Sequence, residues 1–264
     1  METLRRIASA LSDIVIDLDG VVYKGTKLID GADAAIKMFR QNGKRVHFLT
    51  NSSAKGRVAV AERLCSLGVD CFAREVMTSA TASAIYLQSV GYRNIFVIGE
   101  ESLRNEIREY RIEVTDNPGK ADALLVGLDS QFSYQKLADA MICLSNGCKF
   151  VICNRDASYP VDNGQRLPGC GPIVAAVEVA SGRNADVDIG KPNKFMLDAL
   201  LGDNYCSRNI AIVGDGLTSD MALAARIGSA GIYIDDSAKC ACRHDDFFMF
   251  RSLYEFSAWL CRAL

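Results

Sequence analysis

The segment DIVIDLDGVVY, at residues 13–23, constrains the fold more than any other part of the sequence. A β-branched run at 14–16 ends at Asp17, Asp19 and a glycine, which is typical of a buried strand followed by a turn. In open α/β sheets, ligands bind outside the carboxyl ends of the strands. This strand is therefore predicted to place two carboxylates in a binding crevice. Taken alone, the same pattern also fits an acidic turn without a function.

The composition excludes several classes of function. The chain has 264 residues, a formal net charge of −2 and no basic region, so it lacks the positive field that nucleic-acid binding requires. No apolar run is long enough to cross a membrane. Residues 1–13 contain a short apolar stretch interrupted by Ser9 and Ser12, which predicts a short helix and not a secretory signal. We therefore predict a cytoplasmic protein that binds neither nucleic acid nor membrane.

The chain contains ten cysteines but no CxxC pair, and we expect most of them to be reduced and buried as small apolar residues. Cys240, Cys242 and His244 are alternate residues that could share a soft metal ion if the segment is extended. A fourth ligand is not evident nearby. A loop with incidental cysteines is the alternative interpretation.

Strands and helices alternate along the whole chain. A strand at 44–50 is followed by Asn and Ser residues that we expect to cap a helix at 55–67. A second series of strands and helices begins near Ala80 and ends near Val187, and its strands end in no cluster of acids. The first pattern then returns at about residue 190. Strand–helix alternation of this kind is typical of parallel βαβ units.

These patterns predict an α/β fold with two domains. Residues 1–79 and 188–264 are predicted to form a Rossmann-like core, with a doubly wound parallel sheet. Residues 80–187 are predicted to form a second α/β domain inserted into that core.

Three apolar strands end in DLDG, TNSS and GDGLTSD, and a lysine in IGKP precedes the third strand. If these strands are neighbours in a parallel sheet, their polar side chains converge on one edge. The converging residues are Asp17, Asp19, Thr50, Asn51, Lys191, Asp215 and Asp220. Four carboxylates in one place repel each other unless a cation binds between them, and carboxylate oxygens favour Mg²⁺.

The two acids that follow the first strand, Asp17 and Asp19, indicate covalent catalysis of phosphoryl transfer. Asp17 is a candidate nucleophile that would form an aspartyl-phosphate, and Asp19 is a candidate acid and base for the leaving oxygen and for water. Lys191 and Thr50 would compensate the charge of the phosphoryl group, together with the cation.

The same stretches resemble the four motifs of the haloacid dehalogenase-like hydrolase superfamily, in the order DLDGV, a hydroxyl residue after a strand, GKP and GDGLTSD. LTNSS is similar to the TNNS of the p-nitrophenyl phosphatase and pyridoxal phosphate phosphatase subfamily. CNRD, LPGCGP and IGKP are similar to that subfamily's NxD, PGxG and GKP stretches. The resemblance covers nearly the whole chain.

The resemblance implies a Mg²⁺-dependent phosphatase of small phosphomonoesters. It implies that Asp17, Asp19 (through its backbone carbonyl) and Asp215 bind the metal, and that Asp220 supports them. The catalytic residues implied are Asp17, Asp19, Thr50 and Lys191, and the substrate-binding residues implied are Asn51, Ser52, Asn154 and Asp156. The inserted domain resembles the subfamily's α/β cap, which carries a selectivity loop near Asn154 and Asp156 and often forms homodimers.

Several alternatives remain open from the sequence. Lys191 could be a surface lysine, Thr50 a helix cap, Asp220 a first-turn acid, and Asn154 with Asp156 an ordinary turn. A phosphotransferase or phosphomutase would use the same nucleophile, and a catalytically silent protein could bind phosphometabolites with the same residues. A signalling receiver domain has a similar acidic cluster but no large insertion. The sequence does not indicate which phosphate ester is the substrate.

Overall fold

The structure is a computed structural model that describes residues 8–161, 165–238, 241–244 and 246–264. The strands are β1 Asp13–Ile16, β2 Tyr23–Lys24, β3 Lys27–Leu28, β4 Arg45–Thr50, β5 Val76–Thr78, β6 Asn94–Ile98, β7 Glu113–Thr115, β8 Ala123–Val126, β9 Lys149–Ile152, β10 Ser158–Pro160, β11 Arg166–Pro168, β12 Val187–Asp188, β13 Ile210–Gly214, β14 Ala230–Ile234, β15 Cys242–Arg243 and β16 Phe247–Phe250. The α-helices are α1 Ala32–Gln41, α2 Arg57–Ser66, α3 Ser79–Ser89, α4 Glu101–Glu109, α5 Tyr134–Ser145, α6 Cys170–Ser181, α7 Phe195–Leu201, α8 Ala222–Ile227 and α9 Leu253–Ala263. Short 3₁₀ helices at Ala73–Glu75, Pro118–Lys120 and Ser207–Asn209 and a π-helix at Leu217–Met221 complete the described elements.

Among the described residues, the main sheet has seven strands in the order β15-β16-β14-β13-β1-β4-β5. Its strands are parallel except for the β15–β16 pair. The central strand β1 pairs on one side with β13 and on the other with β4. The connections therefore run outward in opposite directions from β1, which is the doubly wound topology predicted from the sequence.

A second sheet is built from the middle of the chain. It has five parallel strands in the order β12-β9-β8-β6-β7. The predicted α/β class, with a Rossmann-like core and an inserted α/β cap, is confirmed.

Three hydrophobic clusters hold the sheets and helices together. Successive strand residues point to opposite faces, so Ile14 and Ile16 pack with α1 and α9, whereas Val15 faces the other way. The cluster around Val15 also contains residues of the second sheet, such as Val97 and Leu125. A third cluster lies on the far side of the second sheet, against α5 and α6. The cap and the core therefore share one apolar interface.

The predicted cap of the helix after β4 is wrong. Helix α2 begins after Gly56, and no side chain accepts a hydrogen bond at that N-terminus. The side chains of Asn51 and Ser53 bind elsewhere: Ser53 Oγ accepts a hydrogen bond from Leu128 N at 2.8 Å, for example. Tertiary contacts with the cap have outweighed the local capping preference of these residues.

Two regions of the sequence predictions lie partly outside the described residues. These are the N-terminal helix, which falls largely on residues 1–7, and Cys240 of the possible metal site. Within the described ranges, no helix is both long and apolar enough to cross a membrane.

Candidate active site

The structure brings the predicted catalytic residues to one edge of the main sheet. Asp17 follows β1, Thr50 ends β4, and Asp215 follows β13. These three strands are adjacent and parallel, with Ile16 opposite both Phe48 and Val213. Their carboxyl ends therefore meet, as in other open α/β sheets.

Lys191 is the centre of the charged cluster. Its ammonium donates hydrogen bonds to Asp17 Oδ1 at 2.6 Å, to Asp220 Oδ1 at 2.7 Å and to the Leu49 carbonyl at 3.0 Å. The three hydrogens of the ammonium are thereby all used. Only 3% of the Lys191 side chain is exposed, which excludes the alternative of a surface lysine.

Three carboxylates cluster around this lysine. Asp17, Asp215 and Asp220 each have an oxygen within 4.8 Å of those of the other two. Asp220 lies in the π-helix and also accepts hydrogen bonds from Gly216 N at 3.2 Å and Ser219 Oγ at 3.3 Å. One lysine leaves the three negative charges incompletely compensated, and the donor set consists of hard oxygens. The residues therefore fit a divalent cation such as Mg²⁺.

Gly20 is required beside this cluster. It has φ of +85°, in the left-handed region, and a Cβ there would lie 2.0 Å from Asp215 Oδ2. A larger residue in DLDG would consequently displace the third carboxylate of the cluster.

The protonation equilibria reflect burial and the mutual repulsion of the acids. Burial raises the pKa of Asp17 well above its usual range, Lys191 opposes this rise, and Asp220 and Asp215 add to it. Burial disfavours the charged form of Lys191, but the carboxylates of Asp17 and Asp220 outweigh it and raise the pKa of the lysine. The cluster is thus poised to take up positive charge, either as protons or as a metal ion.

Asp19 occupies a different environment from the three clustered acids. Its carboxylate is not part of the set within 4.8 Å, and its side chain is half-buried. Burial raises the pKa of Asp19, while Arg63 and Lys191 lower it. A carboxyl group with a raised pKa is suited to carry and transfer a proton.

The residues after β4 make polar contacts within the protein. Thr50 is buried, and its Oγ1 accepts a hydrogen bond from Ser52 N at 3.1 Å. The side chain of Asn51 binds the backbone of Lys191 and the carboxylate of Asp156, and Asn154 donates to the Asn51 carbonyl. The structure thus brings Asn51, Asn154 and Asp156 together. Their contact with a substrate stays a prediction, as does that of Ser52.

Arg63 is a site residue that the sequence interpretation missed. Its guanidinium carbon lies 4.0 Å from the ring centroid of Tyr23, and the side chain donates to the Gly25 carbonyl. Arg63 thereby holds the β2–β3 hairpin directly after the Asp19 turn, and its charge acts on Asp19. It lies in the last turn of α2, where nothing in the sequence distinguishes it from a solvated arginine.

The titration of Asp215 predicts a pH-dependent affinity for a divalent cation. Loss of hydration in the cluster and the neighbouring Asp220 raise the pKa of Asp215 to about 6. A cation has to displace this proton, so we expect its affinity to fall as the pH drops below about 6. Calorimetric titration of Mn²⁺ or Mg²⁺ across that range measures the effect, with Asp215→Asn as the variant that should lose affinity and pH dependence together. An affinity that does not change with pH in the unmodified protein would contradict the assignment.

In the metal-free protein, protonation of Asp215 stabilises the fold. The effect of pH on stability is therefore opposite in sign to its effect on metal affinity. A carboxyl whose native pKa is raised stabilises the fold while it is protonated in the native state. The contribution of Asp215 is therefore complete below its unfolded pKa of 3.8 and is lost as the pH rises through about 6.

Comparisons with known proteins found similar sequences and similar folds. A family model described as haloacid dehalogenase-like hydrolase matches residues 14–113, and a second model, HAD-hydrolase-like, matches residues 188–246. The chain is 33% identical to chronophin of Rattus norvegicus, over 85% of this chain and 76% of that protein. It is 32% identical to glycerol-3-phosphate phosphatase of Homo sapiens, over 86% of this chain and 79% of that protein.

The fold is similar to solved structures as well. A p-nitrophenyl phosphatase from Archaeoglobus fulgidus superposes with a TM-score of 0.85 at 25% identity, over 94% of this chain and 99% of the other. The similarity thus includes both the core and the inserted domain.

Proposed function

The chain belongs to the haloacid dehalogenase-like hydrolase family and is an enzyme of its phosphatase branch, and from this premise we propose that it is a Mg²⁺-dependent phosphatase of small phosphomonoesters that works through an aspartyl-phosphate on Asp17. One observation carries the proposal: a buried lysine bridges Asp17 and Asp220, and Asp215 completes a cluster of three carboxylates at the end of the central strands. Such a site matches a reaction that requires one nucleophile and compensation of the phosphoryl charge.

We assign the metal to Asp17, Asp215 and the backbone carbonyl of Asp19. Asp220 would stabilise these ligands from outside the coordination shell. When bound, Mg²⁺ would neutralise charge on the phosphoryl oxygens and orient the ester. The fit rests on the three carboxylate oxygens within 4.8 Å of one another, of which Lys191 pairs with those of Asp17 and Asp220.

The residues of the chain have distinct tasks in the proposed reaction. A carboxylate oxygen of Asp17 attacks phosphorus, the bond from phosphorus to the ester oxygen breaks, and Asp19 donates its proton to the departing alcohol. Asp19 then accepts a proton from water as the water oxygen attacks the aspartyl-phosphate, which releases inorganic phosphate and restores Asp17. Lys191 donates a hydrogen bond to the nucleophile at 2.6 Å. We propose that the Thr50 hydroxyl donates to a phosphoryl oxygen.

We propose that the inserted domain is the substrate-selective cap. Its last strand, β12, consists of Val187 and Asp188 and crosses the boundary predicted between residues 187 and 188. The boundary proposed here therefore lies just after Asp188. The hydrogen bonds that Asn154 and Asp156 make with Asn51 support the proposal that the cap closes one side of the site.

The substrates are proposed to be small because the cap lies close to the catalytic edge. Glycerol 3-phosphate and p-nitrophenyl phosphate, the esters named for two of the similar proteins, are the first compounds to examine.

We further propose a homodimer through the cap. Its outer helices expose apolar side chains, of which Tyr134 in α5 is 88% exposed, Met141 in α5 is 42% exposed and Val179 in α6 is 85% exposed. Exposed apolar groups on adjacent helices support contact with a second copy of the chain.

The proposed function is tested by release of inorganic phosphate from a panel of phosphomonoesters. We expect hydrolysis with Mg²⁺, loss of hydrolysis with a chelator, and recovery when Mg²⁺ is added back in excess. The panel should pair acidic with neutral leaving groups of similar size. A folded protein that releases phosphate from no member under any metal condition would contradict the proposal, and transfer to an added alcohol instead of water would indicate a phosphotransferase.

A further inference from the structure

Asn51 was predicted to bind substrate, but its side chain is occupied by the protein. Its Oδ1 accepts a hydrogen bond from Lys191 N at 2.8 Å, and its Nδ2 donates to the Lys191 carbonyl at 3.3 Å and to Asp156 Oδ1 at 3.0 Å. An asparagine amide has two donor hydrogens, and both are used in these contacts. Because both amide hydrogens are engaged with the protein, Asn51 is a poor candidate for direct recognition of a phosphoryl group.

The cap reaches this asparagine through two residues. Asn154 Nδ2 donates to the Asn51 carbonyl at 2.7 Å, and Asn154 Oδ1 accepts from Asp156 N at 2.9 Å, which fixes the loop that carries Asp156. The junction is closely packed, because a Cβ at Gly190 would lie 2.7 Å from Asn154 Cβ. The glycine before Lys191 in IGKP is therefore needed for the cap loop to approach.

We infer that Asn51 is a positioning residue that couples the cap loop at 154–156 to the catalytic lysine. A single side chain binds both the N–H and the carbonyl of Lys191, so it fixes the backbone from which the ammonium extends. Asp156 in turn fixes the amide of Asn51. The position of Lys191 relative to Asp17 consequently depends on a docked cap.

The inference rests on the proposed phosphatase function and predicts which kinetic constants change when Lys191 is displaced. Lys191 must contact Asp17 and Asp220 at once, at 2.6 and 2.7 Å, and displacement of a catalytic group by about 1 Å costs about 100-fold in rate. Disturbing Asn51 should therefore lower kcat more than it raises KM, because the lysine holds the attacking oxygen of Asp17.

The donor–acceptor pair of Asn51 and Asp156 can be reversed by mutation. N51D keeps an acceptor for Lys191 N but sets two carboxylates against each other, and we expect kcat to fall about 100-fold. D156N retains an oxygen that accepts from Asn51, so it should lower kcat by less than N51D does. In the N51D/D156N double variant the amide at 156 donates to the carboxylate at 51, and kcat should recover to within about 5-fold of the original value.

Unfolding midpoints of the four metal-free proteins, measured beside kcat and KM, make the test decisive. A midpoint that falls in N51D while kcat stays unchanged would show a purely structural role and overturn the inference. A rise in KM that D156N does not reverse would show direct substrate contact and overturn it as well. An unmodified protein that releases no phosphate would remove the proposed function together with the inference, whereas an active one that tolerates N51D would remove the inference alone.

Discussion

Asp17→Asn should abolish turnover. The amide has no nucleophilic oxygen to form the aspartyl-phosphate, and we expect kcat for phosphate release to fall by at least about 10⁴-fold, as for other deleted nucleophiles. The fold should survive, because an amide oxygen still accepts the hydrogen bond of Lys191 and a buried acid with a raised pKa is removed. Single-turnover phosphate release and the unfolding midpoint, measured on the same samples, report both effects.

Asp30→Asn is the matched control for this substitution. Asp30 is exposed, so the same change from carboxylate to amide should leave turnover and stability unchanged. Substantial phosphate release by the Asp17→Asn enzyme, after deamidation has been excluded by mass spectrometry, would mean that water attacks the ester directly.

Lys191→Met should damage both activity and stability. Without the ammonium, Asp17 and Asp220 are left without their cation in a buried site, and breaking such a pair costs about 3–5 kcal/mol in the free energy of unfolding. We expect turnover to fall by roughly 10³-fold, since one group that compensates phosphoryl charge is lost. Denaturant unfolding of the metal-free protein measures the stability change.

Added Mg²⁺ should recover part of the lost stability of Lys191→Met, because the ion binds the native carboxylates and not the unfolded chain. Lys194→Met is the matched control, since Lys194 lies nearby in sequence but its side chain is 61% exposed in its pair with Asp198. Its free energy of unfolding should stay close to that of the unmodified protein, because an exposed ion pair contributes little to stability. Equal stability of the two variants would contradict the proposal that Lys191 compensates the charge of the buried carboxylates.

The sequence predicted those parts of the fold that follow from local patterns and from motif order. The β-branched run before Asp17 is a buried central strand, and the return of the first pattern near residue 190 corresponds to strands on the other side of β1. The meeting of Lys191 with Asp17, 174 positions away, follows from the order of the motifs and not from any local periodicity.

Side-chain contacts between the cap and the core could not be predicted in the same way. The capping preference of the TNSS residues is weaker than the contacts that the assembled cap offers to Ser53 and Asn51. The two-residue strands of the β2–β3 hairpin are too short to give a period, and Arg63 acquires its role only when that hairpin folds against α2. These features depend on partners distant in sequence, which no window of residues contains.

The pairing of β1 with β13 has a consequence for biosynthesis. Asp13 pairs with Ile210, so the central strand lacks one neighbour until about 200 further residues have left the ribosome. At elongation rates of about 5–20 residues per second, this delay is roughly 10–40 s. The five strands of the second sheet all emerge within that time, and this sheet can form first. The nascent core therefore presents an unpaired apolar strand edge for seconds, during which it is open to chaperones and to aggregation.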